Sequence, residues 1–191
     1  MELIFVRHGQ GQHTLSPPES LQHRNPSLTE EGVNQITLLK KNLPLNQGDL
    51  IVSSPTRRTI ETATLLANGI NEMITISPAV SPRMFPQNSK WKTLPCDKTL
   101  DKEFLKKDLP SVEVEDCSSE ELWRRGINTI PEHVFKTIGN QFLDWCRQQH
   151  KEKIFIVSHD GTITSYRQLI TGSLLSRKDF LKDGGWVRVY C

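Results

Sequence analysis

The sequence predicts an α/β fold, a three-layer sandwich with helices on both faces of a mainly parallel central sheet. Residues 3–6, 50–52 and 154–157 are short apolar runs rich in branched and aromatic side chains, which is typical of buried parallel strands. Helix-like stretches, with apolar residues three and four positions apart, lie between these runs. Because strands and helices alternate along the chain, a parallel sheet covered on both faces is the favoured arrangement.

Three helices are predicted between the first and the last of these strands. Residues 29–43 form the first, with Thr29 as a candidate N-cap, and residues 54–67 form the second, with Ser54 as its cap. Residues 131–150 form the third, because their apolar side chains recur at helical spacing. The second helix follows its strand through a tight turn, which places the polar residues of that turn at the edge of the sheet.

The rest of the chain is predicted to supply edge elements and one inserted segment. Residues 73–76 are a weaker strand candidate, residues 162–170 form a last helix that Gly172 stops, and residues 186–190 alternate like an edge strand. Residues 78–118 are rich in Pro, Lys and Asp, and we expect them to form an inserted cap segment over one end of the sheet. The length of 191 residues suits a single domain.

Composition narrows the classes of partner. Lys and Arg number 24 against 22 Asp and Glu, so a formal net charge of +2 gives no electrostatic reason to expect a nucleic acid or a membrane. Cys96, Cys117, Cys146 and Cys191 lack the spacing of a zinc site, and we expect neither a metal nor a cofactor. The first residues show no signal-peptide pattern, which together with free thiols predicts a cytoplasmic setting.

Polar clusters follow three of the predicted strands at their carboxyl ends. Arg7 and His8 follow the first strand, Arg58 lies just beyond the second, and His159 follows the 154–157 strand. Ligands bind at this edge of an open parallel sheet, so we expect the four side chains to converge in one crevice. Guanidinium groups match the paired oxygens of a phosphate, and an imidazole near neutral pH can attack phosphorus. The convergence predicts phosphoryl chemistry, with a second, protonated imidazole stabilising the phosphate oxygens.

These clusters belong to four longer motifs. The motifs are Arg7-His8-Gly9, Leu28-Thr29-Glu30-Glu31-Gly32-Val33-Asn34-Gln35, the segment from Ser53 through Ala63, and Ser158-His159-Asp160-Gly161. Together they resemble the signature of the histidine phosphatase superfamily, also called phosphoglycerate-mutase-like, and the resemblance covers nearly the whole chain. It implies a phosphoglycerate-mutase-like fold in which His8 accepts the phosphoryl group, Arg7 and Arg58 clamp the phosphate, and His159 is the second imidazole.

A narrower likeness brings two departures from the family pattern. Residues 7–13 and the later Pro95-Cys96-Asp97-Lys98 resemble a plant and fungal branch of the superfamily. Thr14 replaces an Asn that touches the phosphate in many relatives, and its hydroxyl can still donate one hydrogen bond. Met84 stands where relatives carry the glutamate that protonates the leaving oxygen. Asp97 is the preferred substitute for this general acid, and a substrate with an easily departing group is the alternative.

The sequence predicts an acid-type phosphatase that hydrolyses the phosphomonoester of a small phosphorylated metabolite through a phosphohistidine intermediate. Gln10, His13, Thr14 and Arg83 are candidate substrate-binding residues at the rim of the site. Two rival functions stay open. One is a phosphoglycerate-type mutase, which would return the phosphoryl group to another oxygen of its substrate. The other is a catalytically weak phospholigand-binding protein, which the departures at residues 14 and 84 suggest.

Overall fold

A computed structural model describes residues 1–43, 45–70, 73–88 and 90–191 of the chain. In that part of the chain, six strands form one sheet in the order β4-β3-β2-β5-β1-β6. All neighbours in the sheet are parallel except β1 and β6, which are antiparallel. The strands are β1 Glu2–Arg7, β2 Leu50–Ser53, β3 Ile74–Ile76, β4 Val112–Val114, β5 Lys153–Ser158 and β6 Trp186–Tyr190.

Helices cover the sheet on both faces, which confirms the predicted three-layer sandwich. The helices are α1 Glu30–Asn42, α2 Arg57–Ala67, α3 Lys102–Asp108, α4 Glu120–Arg125, α5 Glu132–Gln148 and α6 Asp160–Thr171. Side chains of β1 alternate between two cores: Ile4 packs with α1 and α2, whereas Phe5 packs with α5 and α6. Strands buried on both faces must be apolar at every position, and this explains the continuous apolar runs of the sequence.

The ends of two helices follow the signals in the sequence. Thr29 caps α1, because its Oγ1 accepts a hydrogen bond of 3.0 Å from the amide of Gly32. Gly172 ends α6 in the left-handed region, with φ of 69°, a conformation that glycine adopts without strain. No helix in the described part of the chain combines the length and the apolar character that crossing a bilayer requires.

The predicted start of the second helix is wrong by two residues. The helix α2 begins at Arg57, and its N-cap is Thr56 rather than Ser54. The backbone amide of Ser54 donates to the carbonyl of Val157 in β5 at 3.0 Å, so the chain is still tied to the sheet at that position. The Ser54 side chain is consequently free to act at the sheet edge instead of capping the helix.

Residues 78–118 hold more regular structure than their composition indicates. They contain α3 and the short strand β4, which extends the sheet beyond β3, and the sequence reveals neither. The strand has only three residues and alternates weakly, so its apolar signal is too short to detect. The turn from Pro95 to Asp97 lies outside these elements and approaches the carboxyl edge of the sheet, where Leu100 donates to the carbonyl of Pro55 at 2.7 Å.

Candidate active site

Three strands bring two histidines together at the carboxyl edge of the sheet. His8 follows β1 and His159 follows β5. Because these two strands are paired and parallel, the two histidines are neighbours. Their ring centroids are 5.1 Å apart, and the ring of His13 lies 5.5 Å from that of His8. All three imidazoles are buried. The structure therefore brings together the residues that the sequence places at separate strand ends, and it adds His13 to them.

His8 is held in one tautomer by two hydrogen bonds. Its Nδ1 lies 2.7 Å from the carbonyl oxygen of Gly9, which can only accept, so Nδ1 carries the proton. Its Nε2 accepts a hydrogen bond of 3.3 Å from Nε of Arg58. Burial, and then the charge of Arg58, hold the pKa of His8 well below its ordinary value. The imidazole is neutral at pH 7, and its Nε2 lone pair faces the site.

His159 is also neutral, which corrects the expectation of a protonated second imidazole. Its Nδ1 lies 3.2 Å from Nη2 of Arg58, which only donates, so Nδ1 is an acceptor. Its Nε2 then carries the proton and donates to Oγ of Ser54 at 2.9 Å. Burial and the Arg58 charge lower the pKa of His159 well below its usual range, and the proton of an imidazolium would face that guanidinium.

Arg58 is the centre of the cluster. It lies in the first turn of α2, is fully buried, and contacts both imidazoles through Nε and Nη2. Its Nη1 donates to the carbonyl of Cys96 at 2.6 Å, and its Nη2 pairs with Oδ1 of Asp97 at 2.9 Å. The neighbouring Arg57 instead faces solvent and pairs with Glu61.

Asp97 joins the cluster from the 95–98 turn. Burial raises the pKa of its carboxyl group, and the adjacent Arg58 charge opposes that shift only in part. Asp97 also lines a cavity of about 200 Å³ together with Met84, Asn128 and Asp160. Met84, which stands where relatives carry a glutamate, therefore lines the same cavity as Asp97, a carboxyl group with a raised pKa.

Arg7 has different partners from Arg58. Its Nη2 pairs with Asp160 at 3.3 Å and with Asp183 at 3.0 Å, and its Nη1 donates to the carbonyl of Leu181 at 2.5 Å. Its charge still contributes to lowering the pKa of His8. The predicted clamp is thus near the imidazoles, but its two terminal nitrogens are engaged by protein acceptors.

The loop after β1 is built by close backbone contacts. A Cβ atom on Gly9 would lie 2.6 Å from the carbonyl oxygen of Gly32, and one on Gly32 would lie 2.2 Å from that of Gln10. Real Cβ atoms do not approach backbone so closely, so both positions require glycine. Gln35 completes this contact, because its Oε1 accepts from the amide of Gln10 at 2.9 Å. The second motif, residues 28–35, therefore packs against the loop that carries His8 and fixes its position.

Three of the predicted rim residues have places in this loop. Gln10 accepts a hydrogen bond from Thr29 at its Oε1, and Thr14 donates from Oγ1 to the carbonyl of Gly11 at 2.9 Å. His13 is buried, and its Nδ1 has no hydrogen-bond partner among the described residues. Burial, followed by the Arg58 charge, lowers the pKa of His13 to about 3.

Arg83, the fourth predicted rim residue, lines the cavity beside Asp97 but is held by contacts within the protein. Its side chain is buried, and the guanidinium lies 4.2 Å from the centre of the Phe135 ring. Its Nη1 donates to the carbonyls of Ile127 and Ile130, and its Nη2 pairs with Glu132 at 2.8 Å. These contacts fix the chain at the start of α5, so both terminal nitrogens serve the structure of the protein.

Sequence reasoning missed three groups of the site. Ser54, which holds His159, was assigned to a helix cap, although its place beside Ser53 in the third motif could have indicated the site. Asp183, a partner of Arg7, comes from a loop before β6 with no motif around it. The carbonyl of Cys96 is a backbone group, which no pattern of side chains indicates. The described residues contain no group of three or more His, Cys, Asp and Glu placed to hold a metal ion.

Comparison with known proteins places this geometry in a family. The model of the histidine phosphatase superfamily (branch 1) matches residues 3–182. Phosphoglycerate mutase-like protein 1 of Arabidopsis thaliana is 26% identical in an alignment of length 195, which covers 83% of this chain and 68% of that protein.

Solved structures share the fold at lower identity. A phosphoserine phosphatase from Entamoeba histolytica, solved with 3-phosphoglyceric acid, superimposes with a TM-score of 0.62 at 20% identity, over 98% of this chain and 89% of its own. The alpha-ribazole phosphatase from Shigella flexneri gives a TM-score of 0.59 at 21% identity, also over 98% and 89%. The family match spans almost the entire chain, and the chain belongs to the histidine phosphatase superfamily, branch 1.

Proposed function

We propose that the protein is an acid-type phosphatase that hydrolyses a small phosphomonoester through a phosphohistidine at His8. The observation that carries this proposal is the lone pair of His8 Nε2, which faces Arg58 Nε at 3.3 Å in a buried cluster. A neutral imidazole of fixed tautomer beside a guanidinium provides a nucleophile and a binding group for the phosphate that it attacks. The family assignment supports the same chemistry.

In the first step, His8 Nε2 attacks phosphorus and the bond from phosphorus to the ester oxygen breaks. Nδ1 keeps its proton through the hydrogen bond to Gly9, so positive charge develops on the ring as the new bond forms. Arg58 stays charged and donates to the phosphate oxygens in place of the imidazole nitrogens that it now contacts. The phosphate dianion also raises the pKa of His159, which can then bind a phosphate oxygen as a donor.

The leaving oxygen receives its proton from Asp97. The raised pKa keeps this carboxyl group protonated to a higher pH than an exposed aspartic acid, as a general acid requires. After the proton is transferred, the carboxylate is stabilised by Arg58 Nη2. In the second step water attacks the phosphohistidine, Asp97 takes a proton from that water, and inorganic phosphate leaves with His8 restored. The acid of the first step is thus the base of the second.

The test is hydrolysis of 4-nitrophenyl phosphate by the wild-type protein and by His8→Ala. We expect turnover that is abolished in the variant, while His23→Ala, which changes an exposed histidine, keeps the wild-type rate. Negligible turnover by the wild type and His8→Ala alike, with phosphate binding retained, would leave only a phospholigand-binding protein. Rapid isomerisation of 3-phosphoglycerate with little free phosphate would instead indicate a mutase.

A further inference from the structure

A cavity beside the imidazole cluster is lined by aromatic and charged side chains, most of which have no part in the proposed mechanism. It has a volume of about 200 Å³ and is formed by four separate segments of the chain. We call it the leaving-group cavity. Its lining consists of Arg83, Met84, Phe85, Trp91, Lys92, Leu94, Asp97, Asn128, Asp160, Gly161, Arg177 and Phe180.

The leaving-group cavity adjoins the imidazole cluster through Asp97 and Asp160. Asp97 is part of its wall and pairs with Arg58 at 2.9 Å, and Asp160 directly follows His159. A phosphate held by Arg58 and attacked by His8 therefore has its ester oxygen near Asp97. The group attached to that oxygen extends into the cavity.

One part of the wall is aromatic and apolar. The rings of Phe85 and Phe180 lie 5.9 Å apart, and Met84 shares the cavity with them. Trp91 and Leu94 complete this part although they are 48% and 39% exposed. Exposure of large apolar side chains to water is unfavourable, and a bound ligand that covers them relieves this cost. Two such side chains at the mouth of one small cavity therefore indicate a flat apolar ligand.

The charged part of the wall carries unbalanced positive charge. The carboxylates Asp97 and Asp160 are paired with Arg58 and Arg7. Lys92 has no acidic partner within the described ranges of the chain. Arg177 has no acidic partner in the same residues either, and its guanidinium lies 5.7 Å from the centre of the Phe180 ring. Two free cations beside an aromatic surface match an anionic group carried on a ring.

We propose that the leaving group of the substrate combines a flat apolar ring with a second anionic group, as in a phosphorylated aromatic carboxylate. The ring lies against Trp91 and Phe180, and the second anion pairs with Lys92 and Arg177. This assignment of a substrate class rests on the proposed function, because it takes the phosphate position from the attack by His8.

The first experiment compares 3-carboxyphenyl phosphate with phenyl phosphate as substrates. In the double variant Lys92→Gln/Arg177→Gln, kcat/KM for the carboxylated ester is expected to fall about fivefold to tenfold more than for phenyl phosphate, since two charge pairs are lost. The matched control is Lys90→Gln/Lys178→Gln, which removes the same charge from neighbouring exposed positions outside the cavity. It is expected to leave the ratio of the two substrates unchanged. Equal losses for both esters, or the same ratio in both double variants, would overturn the proposal.

The second experiment separates the ring from the charge. Trp91→Ser is expected to lower kcat/KM by about fivefold for both aryl esters and less for 3-phosphoglycerate, which has an anion but no ring. A wild-type protein that prefers 3-phosphoglycerate to 3-carboxyphenyl phosphate would contradict the ring.

The third experiment distinguishes failure of the cavity assignment from failure of the proposed function. Titration calorimetry measures binding of 3-carboxyphenylphosphonate and phenylphosphonate to His8→Ala, with and without the changes at Lys92 and Arg177. Tighter binding of the carboxylated compound that depends on these two residues supports the cavity assignment even if the wild type lacks phosphatase activity. No difference between the two phosphonates would remove the assignment, whatever the turnover.

Discussion

Arg58 and Arg7 carry the same charge at the same edge of the sheet, but their partners differ. Arg58 is buried among two neutral imidazoles and the carbonyl of Cys96, and it pairs with the carboxyl group of Asp97. Arg7 pairs with two carboxylates and donates to a third acceptor, the carbonyl of Leu181.

The difference shows which of the two charges is available to a phosphate. Arg58 has one acidic partner where Arg7 has two, and the raised pKa of that partner, Asp97, weakens the pairing as pH falls. Two carboxylates cancel the charge of Arg7, so it contributes a fixed position more than a free positive charge. Both residues belong to motifs of the family signature, and their surrounding acceptors distinguish them.

The largest expected effect is the difference between the two arginine variants. Arg58→Gln is expected to lower kcat/KM for 4-nitrophenyl phosphate by about a thousandfold, because a preorganised charge next to the nucleophile is lost. Arg7→Gln is expected to cost about tenfold, because its charge is already balanced. Steady-state kinetics on folded variants measures both. Equal losses would mean that the carboxylates leave Arg7 when substrate binds.

A second comparison concerns the acidic partner of Arg58. Asp97→Asn removes the proposed general acid, so kcat on an alkyl phosphate is expected to fall by about a hundredfold or more, and that on an aryl phosphate by less than about tenfold. The measurement is the ratio of the two rates in the variant and in the wild type. A uniform loss, or none, would exclude Asp97 from proton transfer and leave it as a structural partner of Arg58.

The pH dependence follows from the opposite shifts in the cluster. A raised pKa on Asp97 increases the protonated fraction of the acid as pH falls from 7, whereas lowered pKa values keep His8 and His159 neutral over the same range. The wild-type rate on alkyl phosphates is therefore expected to rise toward pH 5, and Asp97→Asn is expected to lose this rise. A rate that declines below pH 6.5 in the wild type would show that His8 is protonated with an ordinary pKa.

The free energy of unfolding is expected to depend on pH because the imidazoles around Arg58 are neutral in the folded protein. Below about pH 6.5 His8, His13 and His159 bind a proton in the unfolded chain and stay neutral in the folded protein. Each imidazole therefore lowers the free energy of unfolding by up to about 1.4 kcal/mol for every unit by which the pH falls. The raised pKa of Asp97 has the opposite sign and offsets part of this loss.

The smallest expected effect is the removal of one of these imidazoles. His13→Asn is expected to reduce the acid-dependent loss between pH 6 and pH 5 by about 1.2 kcal/mol, measured by urea denaturation at the two pH values. His23→Asn, at an exposed position, serves as the matched control. Identical slopes in wild type and His13→Asn would mean that His13 is protonated in the folded protein.

The carboxyl-edge cluster could be predicted from the sequence because topology alone determines it. Parallel strands that end in His8 and His159 must present both imidazoles at one edge, whatever the details of packing. The helix cap at Thr29 is equally local, since the donor that it satisfies lies three residues away. Features that depend on neighbouring residues or on strand order can therefore be predicted from the sequence.

Features that depend on distant residues could not be predicted. Asp183 reaches Arg7 from the far end of the chain, and no spacing rule links the two. The neutral state of His159 follows from the position of Arg58, and the buried place of Arg83 follows from the ring of Phe135. Each of these is a tertiary contact, which decides charge and exposure after the elements have packed.

The central claim is that His8 carries the phosphoryl group, and trapping the intermediate tests it most directly. The protein is mixed with a ³²P-labelled substrate, quenched in alkaline detergent and digested. We predict label that is stable in base and lost in acid on the peptide containing His8, and no label in His8→Ala. Label on a different residue, or full turnover by His8→Ala, would contradict the account.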